Sequence, residues 1–207
     1  MAEVEFFFDL SCPWTYLAAG RLHEAAVRTG ARIRWRPFRL SDLGRSAAEQ
    51  RWPAEPPRRA HAQRMLAAWA DFCARPLQLP EGWPAELTLA ARGAVYAAAT
   101  ERARAYAEAV WAAEFGRGEP PLTEAALLEL AAAAGLEGAA FHSALADPGT
   151  AEALAANARE LAARGGFASA TMFVGERMFH GNESMPLVEY ALGQASGRRF
   201  VMPGQHG

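Results

Sequence analysis

The chain of 207 residues contains no lysine, so all 21 of its basic residues are arginine. That excludes Schiff-base chemistry and any phosphate-binding loop built on a lysine. Cysteine is nearly as scarce: Cys12 and Cys73 are the two present, too few for a disulfide framework. The five histidines, His23, His61, His142, His180 and His206, show no metal-ligand spacing, and no metal site is expected. No apolar run approaches membrane-spanning length, and Met1-Ala2-Glu3-Val4-Glu5 lacks the basic region and cleavage site of a signal peptide. A net charge of −2 with 21% charged residues points to neither nucleic acid nor a membrane surface as partner. These absences predict a cytoplasmic protein with reduced thiols.

What is present is organised around the first thirty residues. Glu3-Val4-Glu5-Phe6-Phe7-Phe8-Asp9 is rich in strand-forming residues and ends at the short turn Leu10-Ser11-Cys12. Pro13 then suits the first position of a helix, where its missing N–H costs nothing. Cys12 therefore falls at or beside the N-cap, where unpaired N–H groups and the helix dipole lower the pKa of a thiol. The competing reading, a small buried apolar residue without chemistry, is the usual fate of a cysteine. After a stop at Gly30, Ala31–Phe38 alternates apolar with basic residues as a half-exposed strand does. Strand, helix, strand is a crossover unit, and a parallel pair is its expected product.

From about Leu40 to Gly165 the pattern becomes helical, with Pro- and Gly-rich breaks at 52–57 and 76–84. Helices are expected over Arg58–Arg75, Glu86–Phe115, Thr123–Ala134, Ala139–Leu145 and Thr150–Arg164. Thr123 with Glu124 in the first turn makes a helix start after Pro120-Pro121. Sheet returns at the end: Thr171–Val174, a tight turn at Gly175-Glu176, and Arg177–His180 form a hairpin. A last helix opens near Asn182, a plausible N-cap, and runs to about Gln194.

The opening Phe6-Phe7-Phe8-Asp9-Leu10-Ser11-Cys12-Pro13-Trp14-Thr15-Tyr16-Leu17 resembles that of the DsbA-like branch of thioredoxin-fold proteins. Within it the similarity is greatest to 2-hydroxychromene-2-carboxylate isomerases and kappa-class glutathione transferases. The resemblance implies an α/β thioredoxin-like fold with an inserted all-helical domain, divided as 1–40 plus 165–207 for the thioredoxin part and 41–164 for the insertion. It also implies glutathione as co-substrate, a small-molecule substrate and a homodimer. In those relatives a serine before the proline holds the glutathione sulfur; Cys12 stands in its place, between Ser11 and Thr15 as the catalytic group. In disulfide-forming relatives the turn is Cys-Pro-X-Cys, and Thr15 stands where the second cysteine would be.

Gly165–Met172 resembles the family's second motif, with Ala170 at the position of a cis-proline. The cost of a non-proline cis bond, about 3–4 kcal/mol, makes a trans or strained Ser169–Ala170 peptide the expectation. The resemblance assigns the Ser169–Ala170 backbone to the cysteinyl part of glutathione and Asn182 with Glu183 to its γ-glutamyl end. Ser184 replaces an arginine of the pattern. Helix capping is the plainer role for Asn182 and Glu183. Trp14 and Trp83 are expected as walls of the substrate cleft, by analogy with the proline-bounded segment of the isomerases.

Other residues weigh less. His180, on an alternating strand, is expected to be a surface or satisfied histidine. Cys73, ahead of the second proline-rich break, is expected as a core thiol, with a resolving role for Cys12 as the alternative. Three functions are left by the sequence: a glutathione-dependent isomerase or transferase, a thiol–disulfide oxidoreductase acting through Cys12 alone, and a binding protein that keeps the fold without the chemistry.

Overall fold

The computed structural model describes residues 1–44, 52–84, 86–119 and 122–197; Pro120, Pro121 and His206 lie outside the described residues. β1 (Glu3–Phe8) leads through the turn at 9–12 into α1 (Pro13–Thr29), and the chain returns as β2 (Arg32–Pro37). α1 stops at Gly30, whose positive φ of 67° lets its N–H turn back to the Val27 carbonyl. β1 and β2 pair in parallel, as the crossover requires. β3 (Thr171–Val174) pairs antiparallel with β1, and β4 (Arg177–His180) antiparallel with β3, giving the order β2-β1-β3-β4.

Successive residues of β1 face opposite sides of the sheet, and both sides are covered. Val4, Phe6 and Phe8 point into the main core, where Phe6 and Phe8 meet the edge of Trp35 at 5.3 Å. Phe7 points the other way, against Phe173, Phe38 and Leu161. The strand therefore reads as a nearly continuous apolar run instead of an alternation.

A short 3₁₀ turn (Leu40–Leu43) follows β2. The helices α2 (Pro56–Phe72), α3 (Thr88–Ala99), α4 (Ala103–Trp111), α5 (Glu124–Ala133), α6 (Gly138–Ala146) and α7 (Pro148–Ala163) come between β2 and β3. α4 continues into a π-helical turn, Ala112–Gly116. After β4, a 3₁₀ turn (Asn182–Ser184) runs into α8 (Met185–Ala195). Thr123 caps α5, its Oγ1 accepting from the Ala126 N–H at 3.2 Å. One hydrophobic cluster holds Phe6 and Phe8 of the sheet, Tyr16 and Leu22 of α1, Ala94, Trp111, Leu127 and Phe141 of the helical stretch, and Val188 of α8.

The single helix expected over 86–115 is two helices. Glu101 takes a left-handed φ of 59°, Arg102 N–H closes back on the Ala97 carbonyl, and the Thr100 hydroxyl takes the Tyr96 carbonyl. The break is made by backbone and side-chain bonds that need neither Pro nor Gly, which is why the composition gives no sign of it. The resulting hairpin of α3 and α4 packs with no room to spare at Gly93. A Cβ there would stand 2.6 Å from the buried Phe141 ring and the Tyr106 hydroxyl. Gly93→Ala is therefore expected to lower stability by about 1–3 kcal/mol through overpacking, although alanine is the better helix former. Chemical denaturation of the variant checks this; a stabilised protein would show that propensity outweighs the clash.

Candidate functional site

Asp9 ends β1 and is buried, yet each of its polar groups is used. Oδ1 accepts from the Ser11 N–H at 2.8 Å and the Ser11 hydroxyl at 2.5 Å, and Oδ2 accepts from the Leu40 N–H at 2.6 Å. Its own N–H donates to Ser169 Oγ at 2.9 Å, and that oxygen also lies 2.6 Å from Thr15 Oγ1. One carboxylate thus ties the turn before α1 to the 3₁₀ turn after β2 and to the loop before β3. Hydrogen bonds to a charged acceptor are the strong ones in such a framework.

The framework fixes Cys12. Its backbone is extended (φ −106°, ψ 113°), Pro13 follows as the first helical residue, and its carbonyl accepts from the Thr15 and Tyr16 N–H groups. The side chain does not cap α1. Sγ instead lies 3.8 Å from the Ser169 carbonyl, a weak S–H···O contact that the thiol form can make and the thiolate cannot. The Ser169–Ala170 peptide is cis, which corrects the trans arm of the expected trans or strained bond: the intrinsic preference of an alanine peptide takes no account of the loop's contacts. The Ala170 carbonyl accepts from the Gly181 N–H at 3.0 Å, which joins the loop to the end of β4.

Cys12 opens onto a cleft of about 210 Å³ whose walls include Trp14, Ser169, His180, Asn182 and Glu183. Of the residues singled out from sequence, these cluster around the thiol. Ser11, Thr15 and Ala170 lie behind the wall: all three are buried, and both hydroxyls are engaged in the Asp9 and Ser169 framework. Trp83 stands apart from this cleft. Its indole N–H donates to the Ser11 carbonyl at 3.1 Å, and its ring walls a second, mainly apolar cavity of about 220 Å³ with Pro80, Leu87, Leu122 and Leu127. That cavity adjoins the Cys12 turn through the Ser11 peptide.

Asn182 does not act as a helix cap. It is 1% exposed, and Arg21 of α1 donates to both its backbone carbonyl (2.6 Å) and its Oδ1 (3.0 Å). That fixes the amide with oxygen toward Arg21. Nδ2 has no hydrogen-bond partner among the described residues. A buried amide left this way costs about 1–3 kcal/mol unless something else accepts from it. Arg21 is itself held by α2, its guanidinium 5.0 Å from the Trp69 ring and 5.7 Å from the Phe72 ring. The Ser184 hydroxyl donates to the His180 carbonyl at 2.5 Å, so the serine in the arginine's place serves the turn.

His180, expected as a surface or satisfied histidine, is the satisfied kind, and its place was not legible: β4 ends beside the Cys12 turn and the imidazole forms part of the cleft wall. Nδ1 lies 3.0 Å from the Ala170 carbonyl and the ring packs on Phe167, centroids 5.0 Å apart. Burial pushes its pKa below the ordinary value, against opposing pulls from the Ala170 carbonyl and the Glu183 charge. Cys73 is neither core nor partner to Cys12: half-buried, it lines a different groove with Gly20, Arg75 and Glu108, and both cysteines are free. Among the described residues no group of three His, Cys, Asp or Glu side chains comes together to hold a metal. None of the described helices is long and apolar enough to cross a membrane.

A four-stranded mixed sheet with a cysteine at the N-terminus of α1, facing a cis-peptide loop, is the arrangement of DsbA-like thioredoxin proteins. The chain belongs to the DSBA-like thioredoxin domain family, whose profile matches residues 3–193. Among its relatives, a 2-hydroxychromene-2-carboxylate isomerase of Pseudomonas putida is 27% identical over 194 residues, covering 92% of this chain and 94% of that protein. A solved structure of 2-hydroxychromene-2-carboxylate isomerase superposes with a TM-score of 0.79 at 26% identity, covering 93% of this chain and 95% of that one. The cytosolic disulfide reductase DsbM of Pseudomonas aeruginosa, solved with GSH, shares the fold at a TM-score of 0.64 and 16% identity, covering 94% and 98%.

Proposed function

We propose that this chain is a glutathione-dependent isomerase of conjugated carbonyl compounds, similar to 2-hydroxychromene-2-carboxylate isomerase, with Cys12 where the relatives carry serine. The observation that carries the reading is the Asn182 amide: a buried donor, oriented by Arg21 and lacking a partner, in the same cleft as Cys12. A carboxylate-bearing thiol fits both features, its anionic end accepting from Nδ2 and its sulfur lying near Cys12. Glutathione, when bound, supplies a sulfur nucleophile that adds to a conjugated double bond, permits rotation, and leaves again.

The residues of the chain then divide the work. Asn182 and the Ser169–Ala170 backbone hold the peptide, with Glu183 beside the γ-glutamyl amine. Cys12 donates its S–H to the bound sulfur, a weaker bond than a serine hydroxyl gives. The apolar cavity beyond Trp83 suits the unsaturated substrate, and the Ser11 peptide between the two spaces brings substrate and sulfur together. We also read residues 1–40 with 165–207 as the thioredoxin part and 41–164 as its helical insertion, cytoplasmic and paired as a homodimer.

The second reading keeps the same cleft but makes Cys12 the nucleophile of thiol–disulfide exchange. With Thr15 engaged by Ser169 and Cys73 in another groove, no resolving thiol of the chain is near, so a second glutathione must release the mixed disulfide. Alkylation of Cys12, followed by mass spectrometry with and without S-methylglutathione, tests the site; protection is expected, and its absence removes both readings. Cys12→Ser separates them. The isomerase retains or gains activity when the family's serine is restored, whereas an exchange enzyme loses its activity and its ping-pong kinetics.

A further inference from the structure

We propose that His180 is the general base of this cleft, its Nε2 taking the proton of the thiol that binds beside Cys12 and returning it when the sulfur departs. The inference rests on the glutathione-dependent reading above and adds to it a residue that the motifs of the family do not contain.

The ring's protonation pattern follows from its neighbours. The Ala170 carbonyl can only accept, so the nitrogen facing it, Nδ1, carries the hydrogen. Nε2 is left with the lone pair, and among the described residues it has no hydrogen-bond partner. Two contacts fix the orientation of the ring, the Nδ1 bond to the Ala170 carbonyl and the tilted packing against Phe167, whose plane lies at 55° to the imidazole. The base is thus held in one tautomer at the wall of the cleft that Cys12, Ser169, Asn182 and Glu183 also line.

Charge in the surroundings permits the role. Burial keeps the imidazole neutral at neutral pH, so the lone pair is available. The titratable groups around it are Glu183 in the adjoining turn and the Cys12 thiol at the start of α1, while Arg21 reaches the same turn through Asn182. β3 sets Thr171 opposite it, which does not titrate in this range. When the imidazole takes a proton, the Glu183 carboxylate stabilises the imidazolium. Cys12 is not the donor of that proton: its S–H faces the Ser169 carbonyl and, when the thiol binds, turns to the bound sulfur as a hydrogen-bond donor, keeping its own hydrogen in both states. The thiol to be deprotonated arrives with the ligand.

The step balances without an oxidant or reductant. The S–H bond of the bound thiol breaks, its electron pair stays on sulfur, and an N–H bond forms at Nε2. The pair becomes thiolate and imidazolium with no net change in charge. On release of the sulfur from the product, the proton passes back.

Two measurements test the proposal. In the wild-type protein, nitrogen NMR of His180 is recorded with glutathione and with S-methylglutathione. Glutathione, which has a proton to give, is expected to move Nε2 toward its imidazolium position; the methylated analogue is not. The second measurement is the pH profile of kcat/KM for glutathione addition to a conjugated aryl enone. Because the imidazole must be neutral and its pKa lies below the ordinary value, activity is expected to fall on the acid side below about pH 6.5. His180→Phe and His180→Gln are expected to lose that limb and about a hundredfold in kcat/KM while S-methylglutathione still protects Cys12 from alkylation. Unchanged profiles with protection intact overturn the role of His180 and leave the glutathione reading standing. Failure of glutathione and its analogue to bind the wild-type protein overturns both. Should a variant not fold, identical NMR responses of the wild type to the two ligands suffice to reject the proposal.

Discussion

Asn182→Asp is expected to weaken binding of S-methylglutathione by roughly a hundredfold or more while leaving the folded protein as stable as before. The substitution keeps the shape of the side chain and the acceptor that Arg21 holds, since an aspartate oxygen takes the place of Oδ1. What it removes is the amide N–H pair, the unpartnered donor at the cleft. In its place stands a negative charge facing the carboxylate of the ligand. Losing a charge-assisted hydrogen bond and gaining a like-charge contact in a buried site costs about 3–5 kcal/mol together. Isothermal titration of the variant, with its thermal unfolding alongside, separates this from a folding defect. Undiminished binding would show that Asn182 does not read the carboxylate, and the proposed orientation of the ligand would have to be reversed.

The largest loss of stability is expected from Trp111→Ala. Trp111 ends α4, is fully buried, and stands 5.9 Å from the Phe8 ring and 6.4 Å from Tyr16. Removing an indole from such a position costs about 3–5 kcal/mol in lost transfer energy and residual cavity. The indole N–H also donates to the Leu10 carbonyl at 3.0 Å, inside the turn that carries Cys12. Trp111→Phe keeps most of the volume and loses only this bond, so a cost of about 1–2 kcal/mol is expected for it. Urea denaturation measures both. An alanine variant within 1 kcal/mol of the wild type, on the order of ordinary surface effects, would show that this core collapses to fill the space.

The elements legible in the sequence are those whose signals are local. The aromatic run of β1, Pro13 at the first turn of α1 and the Gly175-Glu176 hairpin each carry their own cue, and each element is found at the expected residues. Thr123 announces its helix in the same way. The break at Thr100–Arg102 has no such cue, because a left-handed Glu101 is paid for by the packing of α3 on α4. The site divides along the same line. The position of Cys12 before Pro13 at the start of α1 follows from its turn, whereas His180 reaches the cleft only because β4 pairs with β3 and ends beside that turn. Capping and ligand binding ask for the same residue type at Asn182, and the bond from Arg21, 161 residues away, which takes Oδ1 out of a capping role, has no cue in the sequence around it. Arg21 itself is one of 21 arginines in the chain, with nothing in its neighbourhood to mark it.

The bond from Arg21 to Asn182 has a thermodynamic corollary. The same guanidinium that sets the amide rests on Trp69 and Phe72 of α2, a helix in which Leu66 and Ala70 are the buried residues and Phe72 is 71% exposed. A helix so lightly seated has a low free energy of local opening. When α2 lifts, the arginine loses its aromatic cradle, and the amide donor is no longer held in register for a ligand. Linkage makes the effect mutual: whatever affinity the seated helix gives the ligand, the ligand returns as resistance of that helix to opening. The glutathione binding proposed above is therefore expected to slow amide exchange along α2.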